Sequence, residues 1–301
     1  MNLDNNRPCT VAVLGPGGVG GLLAALMARA GHRVICLAGE ETAQTLRRDG
    51  IQVRSKQFAD FTTRVEADTQ LRAPVDLCLI TVKQTSLEPA LRRVPSAMLG
   101  DGLVVPLLNG IEHPALLRRH YHPRQVAPGV IRVEAARRTP GLIEHGSPFT
   151  DVDLAGGTAP RERLDALAAT LTAAGVRTRV RDDETATLWA KFAFLAPFAL
   201  LTTRYGLTIG EIRTDRRPEL LALLEETAAV SRACGAPSDT AAALRLYDAF
   251  PSEAKSSMQR DAEAGRPLEL DAIGGALLRA AEQHAVEVPL AARLVTELAG
   301  R

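Results

Sequence analysis

The sequence predicts an α/β protein: an open parallel sheet with helices on its faces over residues 1–181, then an all-helical domain over residues 182–301. Three observations predict it. Short apolar runs rich in β-branched residues alternate with helical patterns through the first half, as βα units of a parallel sheet do. After Asp182 almost every segment has helical spacing. A chain of 301 residues has the length of two ordinary domains and can bury a sizeable core.

The elements follow in order. "TVAVLG", from Thr10 to Gly15, is short, apolar and ends in glycine, which predicts a buried strand. "GVGGLLAALMARAG" has helical spacing and stops at Gly31; "HRVICLA" is a second strand. "ETAQTLRRDG" reads as a short helix closed by Gly50, and "IQV" with "FTTRV" as a small hairpin. "VDLCLITVK" is a strongly buried strand. "SLEPALRRV" is a helix with Pro89 in its first turn, where a missing N–H costs little. "GLVVPLLNG" is a strand despite Pro106. Residues 125–154 read as extended segments and turns, "RERLDALAATLTAAG" as helix and "VRTRV" as the last strand.

Composition excludes several classes. Lys and Arg number 36 against 35 Asp and Glu, so no electrostatic case exists for nucleic acid or an anionic membrane as partner. Hydrophobic content is 46% but aromatics only 4%, so the core must be built from Ala, Leu and Val. Cys9, Cys36, Cys78 and Cys234 are far apart and form no C-x-x-C pair, which argues against a disulfide framework or a metal site; Cys36 and Cys78 lie in apolar runs as small buried thiols. The opening "MNLDNNRP" lacks a signal-peptide pattern, and no run is expected to reach the roughly 18 apolar residues of a membrane span. A cytoplasmic location is the expectation. The Ala- and Leu-rich helices of the second half suit either an intrachain core or a homodimer interface.

"LGPGGVGG" contains G-x-G-x-x-G at Gly15, Gly17 and Gly20, with Gly18 inside the same turn. The motif alone is common. Between a buried strand and a helix near the N-terminus it predicts a Rossmann-type dinucleotide site. Gly15 permits the tight turn, Gly17 the approach of a pyrophosphate and Gly20 close helix–sheet packing. Free N–H groups at the helix start then meet negative charge. At the end of the second strand, "ICLAGEE" offers Glu40 or Glu41 to ribose hydroxyls, or merely as helix-start carboxylates. No arginine for a 2′-phosphate stands there, and Arg47 and Arg48 are expected to be solvated. This chemistry favours NADH.

Lys83 and Asn109 end two later strands, where ligands of such sheets bind; a solvated lysine and an N-G turn are the plainer readings. In "TLWAKFAFLAPFALL" the only charge is Lys191, on a face with Thr187, Leu188, Phe194, Leu195, Phe198 and Ala199. It either snorkels to water or meets an anionic partner in a cleft. Pro197 could bend that helix. Farther on, Glu269 and Asp271 lie where another helix begins. Either acid can cap it, Asp271 above all, or Glu269 can meet the lysine or a substrate hydroxyl.

These residues together resemble the ketopantoate reductase family over nearly the whole chain. The resemblance rests on "VAVLGPGGVGGLLAALMARAGHRV", "TVKQTSL", "LLNGIEH", "LWAKFAFLAPFALLT" and "SSMQRDAEAGRPLELDAIGG", in that order. It implies reduction of a 2-oxo acid by NADPH, in a site between a Rossmann domain and a helical domain. It assigns Lys191 as the catalytic lysine and Glu269 as the glutamate that binds substrate. Ser257 becomes a serine that meets the substrate, Asn109 the asparagine near nicotinamide and substrate, and Lys83 a lysine near the cofactor.

Three positions depart from the family pattern. Asparagines that help hold substrate, four and eight residues after the lysine, are here Leu195 and Ala199; the arginine for the NADPH phosphate is Gly39; and the threonine before the glutamate is Leu268. The first departure predicts a substrate less polar than ketopantoate, and the second leaves NADH beside NADPH. Chemically, a lysine ammonium stabilises the oxyanion formed as a ketone accepts hydride, and can protonate it. Two rival readings stand: a dinucleotide sensor or assembly protein without turnover, and a dehydrogenase oxidising a hydroxy acid or amine-linked acid.

Overall fold

The computed structural model describes residues 8–300; nearly all of the polar opening stretch, residues 1–7, lies outside the described residues. The chain forms two compact units. One combines the residues up to Leu108 with His113–Glu184; the other combines Asn109–Glu112 with the residues from Thr185 onward.

In the first unit the chain runs β1 (Thr10–Leu14), α1 (Gly18–Arg29), β2 (Arg33–Leu37), α2 (Glu40–Asp49), β3 (Ile51–Ser55), β4 (Phe61–Thr63), β5 (Glu66–Asp68) and β6 (Leu77–Ile80). It continues through α3 (Leu87–Leu91), β7 (Leu103–Pro106), α4 (His113–His120), β8 (Gly129–Arg132), β9 (Ala135–Thr139), β10 (Leu142–His145), β11 (Asp151–Ala155), α5 (Arg161–Ala173) and β12 (Arg177–Arg181). Strands β5-β2-β1-β6-β7 make a parallel five-stranded sheet in the order of a mononucleotide-binding half. Two smaller sheets, β4-β3-β10-β9 and β12-β11-β8, complete the unit, and the expected hairpin is the antiparallel pair β3–β4.

The apolar runs are continuous because both faces of the main sheet are covered. Val11, Val13, Cys36, Leu77 and Leu79 enter one core; their neighbours Ala12, Leu14, Ile35, Cys78 and Ile80 enter the other. Pro106 is tolerated because it closes β7, an edge strand, where one side of the backbone needs no ladder donor.

The second unit is helical: α6 (Glu184–Tyr205), α7 (Ile209–Asp215), α8 (Arg217–Ala233), α9 (Thr240–Ala249), α10 (Ser257–Glu263), α11 (Ala276–Gln283) and α12 (Pro289–Ala299), with a π-helical turn at Asp271–Gly275 before α11. Local chemistry sets the helix starts. Thr208 and Glu211 form a reciprocal capping box on α7, Asp239 caps α9 and Ser256 caps α10. Both carboxylate oxygens of Glu226 accept from the first N–H groups of α12, at 2.9 Å each.

The composition of α6 corrects one expectation. This helix is long and apolar enough to cross a membrane. Its most apolar stretch is 61% buried inside the protein, and Trp189, Phe192, Phe198, Leu200 and Leu201 belong to the core of the helical unit. The helix runs through Pro197. Proline disturbs the backbone bonds of the preceding turn, and there the Tyr247 hydroxyl donates to the Phe194 carbonyl at 2.7 Å.

Candidate active site

The dinucleotide motif occupies the turn between β1 and α1. Gly17 is the N-cap of α1, no side chain caps that end, and the first turn holds no acid. The end of the helix is therefore left to backbone N–H groups. A Cβ on Gly17 would meet nothing closer than 3.9 Å, so this is the open side of the turn. The other glycines serve packing. At Gly20 a Cβ would lie 2.2 Å from Thr81 Oγ1, which itself donates to the Gly15 carbonyl at 2.9 Å; at Gly18 it would collide with Ala135 of β9. Gly15 adopts φ +88° and abuts Val82, so Lys83 is next in sequence to the residue against the turn. Lys83 is half-buried and precedes the 3₁₀ turn Gln84–Ser86. An unblocked helix start with close backbone and one open glycine is a fitting cradle for a pyrophosphate.

At the end of β2, Gly39 is the N-cap of α2 and a Cβ there would point into open space. Glu40, exposed at the helix start, accepts from Gln44 Nε2 and Arg47 Nη2 at 2.9 Å each. These bonds hold its carboxyl below the usual range, that of Gln44 most. Arg47 is exposed as expected and is also engaged: it donates to the Ala67 carbonyl at 3.0 Å as well. Arg48 pairs with its neighbour Asp49. A cation that sequence spacing does not reveal is Arg93, whose guanidinium donates to the Ala38 carbonyl.

In the helical unit, Lys191 Nζ donates to Asn109 Oδ1 at 3.0 Å, and Asn109 Nδ2 donates to Glu269 Oε2 at 3.1 Å. The charges at its two ends fix the amide orientation: its oxygen faces the cation and its N–H the anion. Glu269 is buried, and Lys191 and Asn109 are half-buried. A buried carboxylate needs donors, and Asn109 supplies one. Lys191 sits in mid-α6, with Leu195 half-buried one turn on and Ala199 buried after it.

The segment Asn109–Glu112 reaches this place through Gly110. Its φ is +89°, and a Cβ would lie 2.6 Å from the Ala272 carbonyl oxygen in the π-helical turn. Asp271 makes no side-chain cap, correcting that expectation; its carboxylate pairs with Arg279 at 2.7 Å. Arg279 also grips Glu112 with two bonds of 2.8 and 2.7 Å. Ser257 is exposed at the first position of α10, and among the described contacts it makes none to Lys191, Asn109 or Glu269. Its neighbour Ser256 is the buried cap and accepts from Thr202 at 2.8 Å. Among the described residues no cluster of His, Cys, Asp and Glu is placed to hold a metal.

Comparison with known proteins decides the family. Residues 11–154 match the family described as Ketopantoate reductase PanE/ApbA, and residues 183–301 match its C-terminal part. The chain belongs to the ketopantoate reductase family. Among similar proteins, a 2-dehydropantoate 2-reductase of Mycobacterium tuberculosis is 29% identical over 300 residues, covering 96% of each chain. The crystal structure of a 2-dehydropantoate 2-reductase from Geobacter metallireducens superposes with a TM-score of 0.89 at 27% identity, covering 97% of this chain and 99% of that one. A D-mandelate dehydrogenase, solved with NADH and anilino(oxo)acetate, shares the fold at TM-score 0.88 and 19% identity, covering 97% of both chains. As a ketopantoate reductase family member of low identity, the chain is an NAD(P)H-dependent oxidoreductase with a dinucleotide-binding α/β unit and a largely helical C-terminal unit.

Proposed function

We propose that this protein reduces a 2-oxo acid or related ketone to the hydroxy compound, and that Lys191, Asn109 and Glu269 are the machinery it uses. The observation that carries the reading is the hydrogen-bonded chain from the Lys191 ammonium through Asn109 to the buried Glu269 carboxylate.

A reduced nicotinamide, when bound, supplies hydride to the carbonyl carbon. The carbonyl oxygen then becomes an alkoxide. Lys191 Nζ stabilises that charge and gives the oxygen a proton, leaving a neutral amine that regains its proton from solvent. An ammonium has three donors, and one of them is anchored on Asn109. Asn109 thereby fixes where the nitrogen stands, and Glu269 fixes Asn109. Gly17 opens the turn to the cofactor phosphates, Gly15, Gly18 and Gly20 let the turn pack closely enough to form, and Lys83 serves the same cofactor. Ser257 serves the substrate from the start of α10.

Leu195 and Ala199 follow Lys191 on the same face of α6 and offer no hydrogen bond. A substrate with polar groups there would leave them unpaired, at roughly 1–3 kcal/mol each. The preferred substrate therefore has a less polar tail than ketopantoate. A panel of aliphatic, branched and aromatic 2-oxo acids beside ketopantoate, followed by oxidation of the reduced nicotinamide, tests this. Clear preference for ketopantoate overturns the substrate reading. Dinucleotide binding without turnover of any acid would favour a sensor, and turnover seen only with hydroxy acids a dehydrogenase.

For the cofactor we propose NADH, since Gly39 provides no cation and the first charged side chain after β2 is the Glu40 carboxylate. One observation favours the alternative: Arg93 brings a guanidinium to the Ala38 carbonyl, where a 2′-phosphate would need it. Titration with both reduced cofactors separates the two. A cytoplasmic setting is part of the proposal, supported by the burial of α6 within the protein.

A further inference from the structure

We infer that Arg279 is a positioning residue: it clamps the segment carrying Asn109 to the turn that follows Glu269, and so sets where the Lys191 nitrogen stands. The inference rests on the proposed function and adds a residue outside its hydrogen-bonded chain.

Arg279 projects from α11. Its Nε and Nη2 donate to the two carboxylate oxygens of Glu112 at 2.8 and 2.7 Å, a fork-to-fork pair. Its Nη1 donates to Asp271 Oδ1 at 2.7 Å, and its Nη2 also reaches the Asp271 backbone carbonyl at 3.2 Å. Glu112 lies three residues after Asn109, and Asp271 two residues after Glu269. One guanidinium thus bridges the two short stretches that bring Asn109 and Glu269 together. Between them, Gly110 rests against the Ala272 carbonyl with no room for a side chain. Rotation of the segment about that contact would swing Asn109 away from Glu269, and the Glu112 pair opposes that rotation. The planar fork of arginine suits this work, because two parallel bonds fix an angle as well as a distance.

All three side chains are substantially exposed, with 45% of Arg279, 47% of Glu112 and 82% of Asp271 accessible. Exposed ion pairs contribute little to global stability. The clamp therefore acts on local geometry, and this separates its effect from a folding defect. Displacing catalytic groups by a fraction of an ångström lowers turnover, whereas binding of a dinucleotide belongs to the other unit.

The test uses the full chain and Arg279→Met, which keeps the aliphatic stem. Expected results are a kcat lowered about tenfold on the best 2-oxo acid of the panel with KM within about threefold, an unaltered thermal midpoint and unaltered reduced-dinucleotide affinity. Amide hydrogen exchange over residues 109–112 should become faster. Arg279→Lys should restore only part of kcat, having charge without the fork. In an Asn109→Ala background, Arg279→Met should lower kcat less than about twofold further, because it acts through the residue already removed. Unchanged exchange at 109–112, or the same tenfold loss in the Asn109→Ala background, would overturn the inference. If the wild-type protein reduces no 2-oxo acid, the functional reading fails, while the exchange measurement still decides whether Arg279 holds the segment.

Discussion

Lys191 Nζ lies 3.0 Å from Asn109 Oδ1, although 82 residues separate the two in sequence. The bond puts a cation in mid-helix under the control of an amide, and the amide under the control of a buried acid. Its consequence for activity is direct. Lys191→Ala should lower kcat on any accepted 2-oxo acid by about 10²–10⁴-fold, the usual worth of a positioned acid. Affinity for the reduced dinucleotide, measured by fluorescence titration, should stay within about twofold, because the glycine turn belongs to the other unit. Equal loss of both would mean the variant is misfolded.

Gly110 should tolerate no side chain. Gly110→Ala meets both a φ of +89° and a Cβ 2.6 Å from the Ala272 oxygen, so a loss of roughly 1–3 kcal/mol is expected. Chemical denaturation measures the loss, and kcat should fall with it because Asn109 is the preceding residue. A stable and fully active Gly110→Ala protein would show that the segment has another way to lie.

Restoring polarity to α6 should redirect specificity. Leu195→Asn, alone and with Ala199→Asn, should raise kcat/KM for ketopantoate relative to an unsubstituted aliphatic 2-oxo acid by about tenfold, since one satisfied hydrogen bond is worth roughly that factor. Comparing the two acids on each variant gives the ratio. An unchanged ratio would mean that this face of the helix does not meet the substrate tail.

At the end of β2, Gly39→Arg introduces a cation where the backbone is extended and a Cβ meets nothing. NADPH affinity should rise about tenfold relative to NADH. If the wild-type protein already prefers NADPH, Arg93→Ala should abolish that preference and Gly39→Arg should change it little.

The buried thiols give the fold an alkaline weakness. Burial pushes Cys36 and Cys78 up to about 12, and burial followed by the nearby Asp76 pushes Cys9 up to about 11. An unfolded thiol titrates near about 8.5. Between these values the unfolded chain releases protons that the folded chain keeps, so unfolding is favoured as pH rises. The denaturation midpoint should therefore be steady below about pH 8 and fall progressively above it. Cys36→Ala and Cys78→Ala should flatten that fall even where they lower the plateau. An unchanged slope in both variants would trace the weakness to other groups.

Much of this architecture could be read in the residues themselves, for identifiable reasons. Strands β1, β2 and β6 are covered on both faces, so their unbroken apolar runs reported them directly. The glycine turn carried its own local geometry. Lys191, Asn109 and Glu269 were each singled out by type and position, but the bonds through which Asn109 joins the two charges were not, because no periodicity links Asn109 to α6. Arg47 is exposed as read, but its bonds were not legible, because Glu40 stands seven residues away and the Ala67 carbonyl belongs to a separate strand. Asp271 looked like a cap because an acid at a helix start ordinarily is one; the π-helical turn and Arg279 gave it other work. The hydropathy of α6 reaches that of a membrane span for a similar reason, since a helix largely buried in a core needs few polar residues.

Four residues, Asn109–Glu112, are encoded in the middle of the α/β half yet are built into the helical one. Neither half is thus a self-contained cassette. A chimaera joined near residue 182 would import its asparagine from one parent and the lysine, glutamate and arginine around it from the other. Recombination among relatives at that seam should therefore yield well-folded proteins whose chemistry is impaired, until position 110 and its flanks are matched to the new helices.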